Sequence, residues 1–193
     1  MKLDEISICY AMTGSFCTFS KSIKQLKLLA QSGANIIPIM SQNACSIDTR
    51  FGKAADIVKE VESICGRRII NSIQGAEPIG PKKMADILVI SPCTGNTLAK
   101  LNNAITDTSV TMAAKSHLRI GRPLVITLAT NDGLGATARN VGNMLNKKNI
   151  YFTPLKQDDH INKPNSLVAN FELLIPTIKE ALGGKQIQPV FYN

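Results

Sequence analysis

Four short groups of small and polar residues follow apolar runs of the chain, where ligand-binding side chains are often found. They are Gly14-Ser15, Ser41-Gln42-Asn43, Thr94-Gly95-Asn96-Thr97 and Ala129-Thr130-Asn131. Their hydroxyl and amide groups donate and accept hydrogen bonds, and glycine lets the backbone approach a ligand closely. Groups of this kind can hold a phosphate together with the edge of a heterocycle.

The same residue types are also the preferred N-terminal caps of helices in any protein. Taken alone, Thr94 or Asn96 is therefore more often a helix cap than a ligand contact. Their repetition after several apolar runs is what favours a binding site. For each single residue, both interpretations stay open at this stage.

Several other kinds of site are missing from the sequence. No GxGxxG follows the first apolar run and no GxxxxGK[ST] occurs, which disfavours the usual dinucleotide and nucleoside triphosphate sites. The five cysteines form no CxxC pair, and His117 and His160 are the two histidines, so neither a zinc spacing nor a disulfide framework is visible. The sequence therefore favours a ligand with one phosphate group and predicts no metal site.

The net charge indicates an anionic partner. Lys and Arg number 22 against 14 Asp and Glu, which gives +8 at pH 7. The positive charges are spread along the chain, aromatic residues make up only 5% of it, and no helix-turn-helix or RNA-binding signature occurs. A small anionic ligand therefore fits better than a nucleic acid.

The spacing of apolar residues predicts alternating strands and helices. The predicted strands are Ile6–Met12, Asn35–Met40, Ile87–Ser91, Leu124–Ala129 and Ile150–Thr153, and the predicted helices are Thr18–Ser32, Arg50–Cys65, Thr94–His117 and Leu167–Leu182. This alternation predicts a three-layer, Rossmann-like α/β fold with helices on both faces of a parallel sheet. The four polar groups would then meet at the carboxyl edge of the sheet, where such folds bind ligands.

Length and hydropathy indicate one domain that spans residues 1–193. A chain with 44% hydrophobic residues can bury a substantial core. No apolar run is long enough to span a bilayer, and the first residues, MKLDEISICYAM, carry acids where a secretory signal needs a basic flank. We therefore expect a cytoplasmic protein that has no membrane partner.

Three of the polar groups, with their surroundings, resemble a known family. The segments are Gly14-Ser15, the motif PCTGNTLAKL at 92–101 with AITD at 104–107, and RPLV at 122–125 leading to Ala129-Thr130-Asn131. They are similar to the FMN-binding flavoproteins, which include the cysteine decarboxylases of coenzyme A and lantibiotic biosynthesis and the flavin prenyltransferases. The similarity runs from the first strand to about Pro154.

This resemblance implies a bound FMN and a set of residues that contact it. The implied contacts are Gly14, Ser15, Phe16, Cys17, Ser41, Gln42, Asn43, Thr94, Gly95, Asn96, Thr97 and Ala129. Ser15, Phe16 and Cys17 would lie at the phosphate and ribityl end of the flavin. The resemblance also implies a homo-oligomer built from trimers, with the flavin site near the boundary between protomers.

Within the family, three longer segments, two of which contain the motifs above, resemble one subunit of a two-subunit oxidoreductase from endospore-forming bacteria. They are the block from Ile90 to Arg119, TLATNDGLG at 127–135 and QDDHINKPNSL at 157–167. This implies a partner subunit that binds NAD(P) and a reaction that oxidises a dihydropyridine dicarboxylate to an aromatic acid during sporulation.

The substrate side of such a site needs cationic or amide groups that can bind carboxylates. The candidates are Asn131 and Lys163, with Arg119 and Arg139 as weaker ones. Asn131 and His160 are the candidates for catalytic roles, His160 because a histidine on a mobile loop could accept a proton. His117, in a basic helical segment, is expected at the surface.

One departure from the family leaves alternatives open. The decarboxylases place a catalytic histidine before the central motif, whereas no histidine precedes His117 here and Pro78 occupies the corresponding position. The chain is then either a catalytic flavoprotein subunit or a non-catalytic binding and scaffolding subunit that kept the fold. A decarboxylase or prenyltransferase relative with a shifted catalytic residue is the third interpretation.

Overall fold

A computed structural model describes residues 2–192 and contains a central sheet of seven strands. The strands are β1 (Ser7–Met12), β2 (Asn35–Met40), β3 (Ile87–Cys93), β4 (Leu124–Thr130), β5 (Ile150–Phe152), β6 (Leu155–Asp159) and β7 (Lys163–Ala169). The helices are α1 (Phe19–Gln31), α2 (Gln42–Ser46), α3 (Ala54–Cys65), α4 (Ile73–Ala76), α5 (Gly95–Asn102), α6 (Ser109–Leu118), α7 (Ala138–Leu145) and α8 (Leu174–Leu182). Short 3-10 helices occupy Phe16–Thr18, Glu77–Ile79 and Phe171–Leu173.

The first five strands form a parallel sheet in the order β2-β1-β3-β4-β5. The chain therefore builds outward from β1 in one direction and from β3 in the other, so that the strand order reverses between these two neighbours. In open α/β sheets of this kind, ligands bind outside the carboxyl ends of the strands at that reversal. The segments that follow β1 and β3 are thus the expected place for a site.

Side chains of successive strand residues point to opposite faces of the sheet, and each face is covered by helices. Ile8, Tyr10 and Met12 of β1 belong to an apolar core that also includes residues of α1, α3 and α8. Cys9 and Ala11 belong to a second core that includes residues of α5, α6 and α7. The predicted three-layer α/β architecture is confirmed.

The prediction of a helix over Leu167–Leu182 is wrong in its first part. Residues Lys163–Ala169 form β7, and α8 begins at Leu174. Strand β7 is antiparallel to β6 and to the end of β4, where Thr130 pairs with Leu167. The sheet is therefore mostly parallel with an antiparallel hairpin at one side, because the unpaired backbone groups at the end of β4 find their partners in β7.

The predicted helix Thr94–His117 is divided into α5 and α6. Ala104 lies in the break, with a left-handed φ of 58°, and helix α6 starts at a capping box in which Thr108 and Thr111 satisfy each other's backbone N–H groups. The helix predicted from Arg50 starts later, at Ala54, because Thr49–Gly52 forms a tight turn. Between α3 and β3, the segment 66–83 contains α4 and a 3-10 helix.

No helix between residues 2 and 192 combines the length and the apolar character that crossing a bilayer requires.

His117 is buried in the last turn of α6, so the prediction that it lies at the surface is wrong. Its Nε2 lies 3.1 Å from the carbonyl oxygen of Pro123, and Nδ1 has no hydrogen-bond partner in the part of the chain that the structure describes. Burial lowers the pKa of His117 to about 4. The reason is that a charged imidazolium would lose its hydration in this position.

We expect acid to destabilise the protein through His117. The unfolded chain, with an ordinary histidine pKa of about 6.5, binds the proton between pH 6.5 and 4 while the folded chain does not. This contribution to the free energy of unfolding is therefore present above pH 6.5 and falls as the pH drops, by about 2 kcal/mol at pH 5. Urea unfolding of the wild type and of His117→Asn at pH 7 and pH 5 measures it. A wild-type pH dependence no steeper than that of the variant would contradict this role.

Candidate active site

A cleft of about 490 Å³ opens at the carboxyl edge of the sheet, beside the reversal of the strand order. The segments after β1, β3 and β4 form its base, the β6–β7 hairpin forms one wall, and the turn before α3 contributes two residues. The lining residues are Gly14, Ser15, Phe16, Cys17, Thr18, Arg50, Phe51, Thr94, Gly95, Ala129, Thr130, Asn131, Asp158, Lys163, Ser166, Leu167 and Val168.

Most of the residues predicted to bind cofactor or substrate lie in this one cleft. From the predicted set, the lining includes Gly14, Ser15, Phe16, Cys17, Thr94, Gly95, Ala129, Asn131 and Lys163. The segments that carry them are separated in the sequence and meet because the strands before them are parallel neighbours.

Other predicted residues lie outside the lining. Ser41, Gln42, Asn43, Asn96, Thr97 and His160 belong to this group. The Ser41 hydroxyl accepts the N–H of Ala44 at 3.3 Å and caps α2, so its polar group already has a structural partner. His160 is exposed near the tip of the β6–β7 hairpin, where Asn162 donates its backbone N–H to the Asp159 carboxylate at 3.0 Å. The predicted loop is thus the connection between the two strands of a hairpin.

Thr13 connects Gly14-Ser15 with Thr94-Gly95, the two polar segments that lie where the strand order reverses. Its hydroxyl accepts the N–H of Thr94 at 3.0 Å and donates to the carbonyl oxygen of Pro92 at 2.9 Å. The side chain is only 1% exposed. This residue fixes the distance between Gly14-Ser15 and Thr94-Gly95, and its place at the end of the first apolar run was the only sequence signal for it.

Thr94 acts as the N-cap of α5. Its hydroxyl oxygen accepts the N–H of Thr97 at 3.1 Å, and the same hydroxyl donates to Thr97 Oγ1 at 3.0 Å. The cap interpretation therefore applies to Thr94, because its hydroxyl proton is already bound within the protein. A ligand at this position would meet the backbone around Thr94 and Gly95 rather than a free threonine donor.

Gly95 allows the start of α5 to approach the segment that follows β4. A Cβ at this position would lie 2.6 Å from Thr130 Oγ1 and 3.1 Å from an Asp132 carboxylate oxygen. Asp132 in turn accepts hydrogen bonds from the hydroxyls of Thr130 and Thr137. The need for glycine thus comes from packing within the protein, and a negative charge lies close to the start of α5.

Two cationic side chains line the cleft. Lys163 Nζ lies 3.2 Å from Asp158 Oδ2, and both side chains are largely exposed, which makes this ion pair weak. Arg50 makes no ion pair with any residue between 2 and 192, and its guanidinium lies 4.9 Å from the centre of the Phe51 ring. Sequence reasoning missed Arg50, because it was assigned to the start of a helix. Arg119 and Arg139, two weaker candidates, lie outside the lining.

No histidine occurs among the described residues that line the cleft. Cys93, at the end of β3, is fully buried, and burial raises the pKa of its thiol. It therefore stays a neutral thiol and does not act as a nucleophile. The chemistry available in the cleft is hydrogen bonding by hydroxyls, amides and backbone groups, the exposed thiol of Cys17, and recognition of anions by Arg50 and Lys163.

Comparison with known proteins identifies the family. The family model described as "Flavoprotein" matches residues 1–172. The chain belongs to the flavoprotein family. The resemblance in the motif at 92–101 is thereby confirmed.

This flavoprotein is similar to named relatives along at least 93% of its length. It is 45% identical to the B subunit of dipicolinate synthase from Bacillus subtilis (strain 168) over 183 residues, which cover 95% of this chain and 92% of the relative. The crystal structure of the dipicolinate synthase B subunit from Bacillus halodurans C is 40% identical, has a TM-score of 0.92 and is matched over 99% of its length. The FMN-dependent cysteine decarboxylase SpaF, 21% identical with a TM-score of 0.69, shares the fold.

Proposed function

We propose that this flavoprotein is the B subunit of a dipicolinate synthase. With a nicotinamide-binding A subunit, it would oxidise dihydrodipicolinate to dipicolinate in the mother-cell cytoplasm of a sporulating bacterium. The observation that carries this proposal is the 45% identity to a dipicolinate synthase B subunit over nearly the full length of both chains. The fold alone would not suffice, because one fold hosts many reactions.

The size of the cleft and the hydrogen-bond donors in its lining support the proposal that it binds FMN. Its volume of about 490 Å³ lies within the usual range for ligand sites. We expect the phosphate near Ser15, Phe16 and Cys17, because the Asp132 carboxylate would repel it from the start of α5. Ala129, Leu167 and Val168 offer apolar surface for a ring system. When bound, the flavin would supply an acceptor for a hydride equivalent.

The reaction removes a hydride equivalent and a proton from a dihydropyridine ring that carries two carboxylates. Lys163 can bind one carboxylate as a point charge, and the Asn131 amide can donate to the same ligand. Asn131 lies in the cleft, whereas His160 does not, so Asn131 is the stronger candidate for contact with the reacting ring. Assembly into trimers and an NAD(P) bound by the partner protein are parts of the same proposal.

A non-catalytic role in assembly is the second candidate function. The observation that favours it is the lack of a histidine among the described residues that line the cleft. The same observation disfavours the decarboxylase interpretation, which needs a catalytic histidine. Under the second function, the cleft would hold substrate or stabilise the complex while the nicotinamide-binding partner removes the hydride.

An absorbance titration with FMN separates these functions. We expect saturable binding, followed by bleaching of the flavin band and formation of a stoichiometric amount of dipicolinate when dihydrodipicolinate is added. Repeated turnover should then require the nicotinamide-binding partner, which would take the electrons from the reduced flavin. Saturable binding without bleaching, together with dipicolinate formation only in the complex, would favour the second function. Failure of the complex to form dipicolinate would contradict the proposal itself.

Ser15→Asp tests the phosphate position. The new carboxylate would stand where we place the phosphate, and like charges at this distance should weaken FMN binding at least about tenfold. Riboflavin, which has no phosphate, should lose much less affinity. Ser63→Asp adds the same charge at an exposed position of α3 and serves as the control. Equal losses for FMN and riboflavin would place the phosphate elsewhere.

A further inference from the structure

Arg50 occupies a position in the cleft that no sequence motif of the chain marks. It lies in the loop between α2 and α3, more than thirty residues from the nearest lining residue in the preceding segment. Among the described lining residues, Arg50 and Lys163 are the cations, and Asp158 is the one carboxylate. Since Asp158 is paired with Lys163, the positive charge of Arg50 has no carboxylate partner among the described residues of the cleft.

The turn that carries Arg50 is held in place by hydrogen bonds. The backbone N–H groups of Thr49 and Gly52 donate to each other's carbonyl oxygens at 3.0 and 3.1 Å, and Phe51 N–H donates to Thr49 Oγ1 at 3.1 Å. Asp48, just before the turn, accepts the N–H of Ala54, just after it, at 2.8 Å, and this hydrogen bond fixes the start of α3. Gly52 has a φ of +143°, which side-chain-bearing residues rarely adopt.

The side chain of Arg50 is also oriented by an aromatic neighbour. Its guanidinium lies 4.9 Å from the centre of the Phe51 ring, at a distance typical of a cation–π contact. A planar guanidinium in this setting keeps its N–H donors available to a ligand. Arginine binds a carboxylate through two parallel hydrogen bonds, whereas lysine acts as a point charge.

We propose that Arg50 is a specificity-determining residue that binds one carboxylate of a dicarboxylate ligand, while Lys163 on the hairpin wall binds the other. This role rests on the function proposed above, because it assigns the substrate contacts of the same cleft. Two cations that line one cleft, Arg50 on its hydrogen-bonded turn and Lys163 on the hairpin, discriminate against ligands that have a single carboxylate. The shared chemistry is recognition of an anionic oxygen group, which a flavin phosphate would also offer.

The test compares dipicolinate, the stable aromatic product, with picolinate, which lacks one carboxylate, by calorimetric titration of the full chain. The wild type should prefer dipicolinate by roughly tenfold or more. In Arg50→Ala this preference should shrink about tenfold, because one anchor is gone. Arg50→Lys keeps the charge but cannot form the two parallel hydrogen bonds. Its preference for dipicolinate should therefore lie between that of the wild type and that of Arg50→Ala. Arg68→Ala, which removes an exposed arginine outside the cleft, should behave as the wild type.

The outcomes distinguish this role from the function on which it rests. Wild-type binding of dipicolinate with an unchanged preference in Arg50→Ala overturns the role of Arg50 alone. Absence of dipicolinate binding to the wild type overturns the proposed substrate and this role together. If Arg50→Ala weakens FMN but not riboflavin, and the dipicolinate preference is unchanged, Arg50 binds the flavin phosphate and the carboxylate assignment is wrong.

Discussion

Replacing Gly80 with alanine is expected to lower the free energy of unfolding by about 3 kcal/mol or more. A Cβ at this position would lie 1.8 Å from the carbonyl oxygen of Ser116 and 2.6 Å from its carbonyl carbon. Because the obstacle is backbone of α6, no side-chain rotation can relieve the overlap. The segment that contains Gly80 would have to move away from α6.

That movement would also break two hydrogen bonds. Gly80 N–H donates to Ser116 Oγ at 2.9 Å, and Ser116 Oγ donates to the carbonyl oxygen of Glu77 at 2.6 Å. Gly80 and Ser116 are buried beside the core that α6 covers. The groups left unpaired there would not be fully hydrated. Urea unfolding of the wild type and of Gly80→Ala, followed by circular dichroism, measures the change in the free energy of unfolding.

Gly142→Ala is the matched control. Gly142 lies within α7, and a Cβ there would meet no atom within 4 Å. Alanine should stabilise this helix by roughly 0.5–1 kcal/mol, since it favours helical backbone over the unfolded chain. If the two variants change stability by similar amounts, the close approach of Gly80 to α6 is not as the structure describes it.

Replacing Thr13 with valine is expected to affect both stability and ligand binding. Valine keeps the shape but removes the hydroxyl that accepts the Thr94 N–H and donates to the Pro92 carbonyl. Loss of a buried partner of this kind costs about 2 kcal/mol. The ends of β1 and β3 would also lose their fixed spacing, so FMN affinity should fall roughly tenfold.

Thr13→Ser separates the hydroxyl from the rest of the side chain. It keeps the oxygen and removes only a methyl group, so it should retain most of the stability and nearly all of the FMN affinity. Unfolding curves and FMN titrations of the two variants provide the comparison. A serine variant as weak as the valine variant would show that packing of the methyl group, rather than the hydrogen bonds, matters at this position.

The motif at 92–101 indicated the family by its residues alone, and the alternation of apolar strands and helices determined the layers. Gly14-Ser15, Thr94-Gly95 and Ala129 were predicted at one edge of the sheet, because parallel strands place their carboxyl ends together. These predictions depend on local spacing and on a general rule of chain topology, both of which can be read along the sequence.

Other features depended on partners that are distant in the sequence. Leu167, Phe171, Leu174 and Ile178 have helical spacing, yet Leu167 lies in a strand, because the end of β4 needed a backbone partner. His117 lies between Lys115 and Arg119 in a basic segment, but its position on α6 places the side chain in the core.

Within the site, the roles of Arg50 and Thr13 also depend on contacts that the sequence does not reveal. The sequence predicts that an arginine before an amphipathic run belongs to a helix, and only the Thr49–Gly52 turn, closed by its own hydrogen bonds, places Arg50 in the cleft. Thr13 has no motif, and its role exists only because Pro92 and Thr94, about eighty positions later, lie beside it. Local propensity thus determined the elements and the edge at which they meet, whereas tertiary contacts decided which side chains share the cleft.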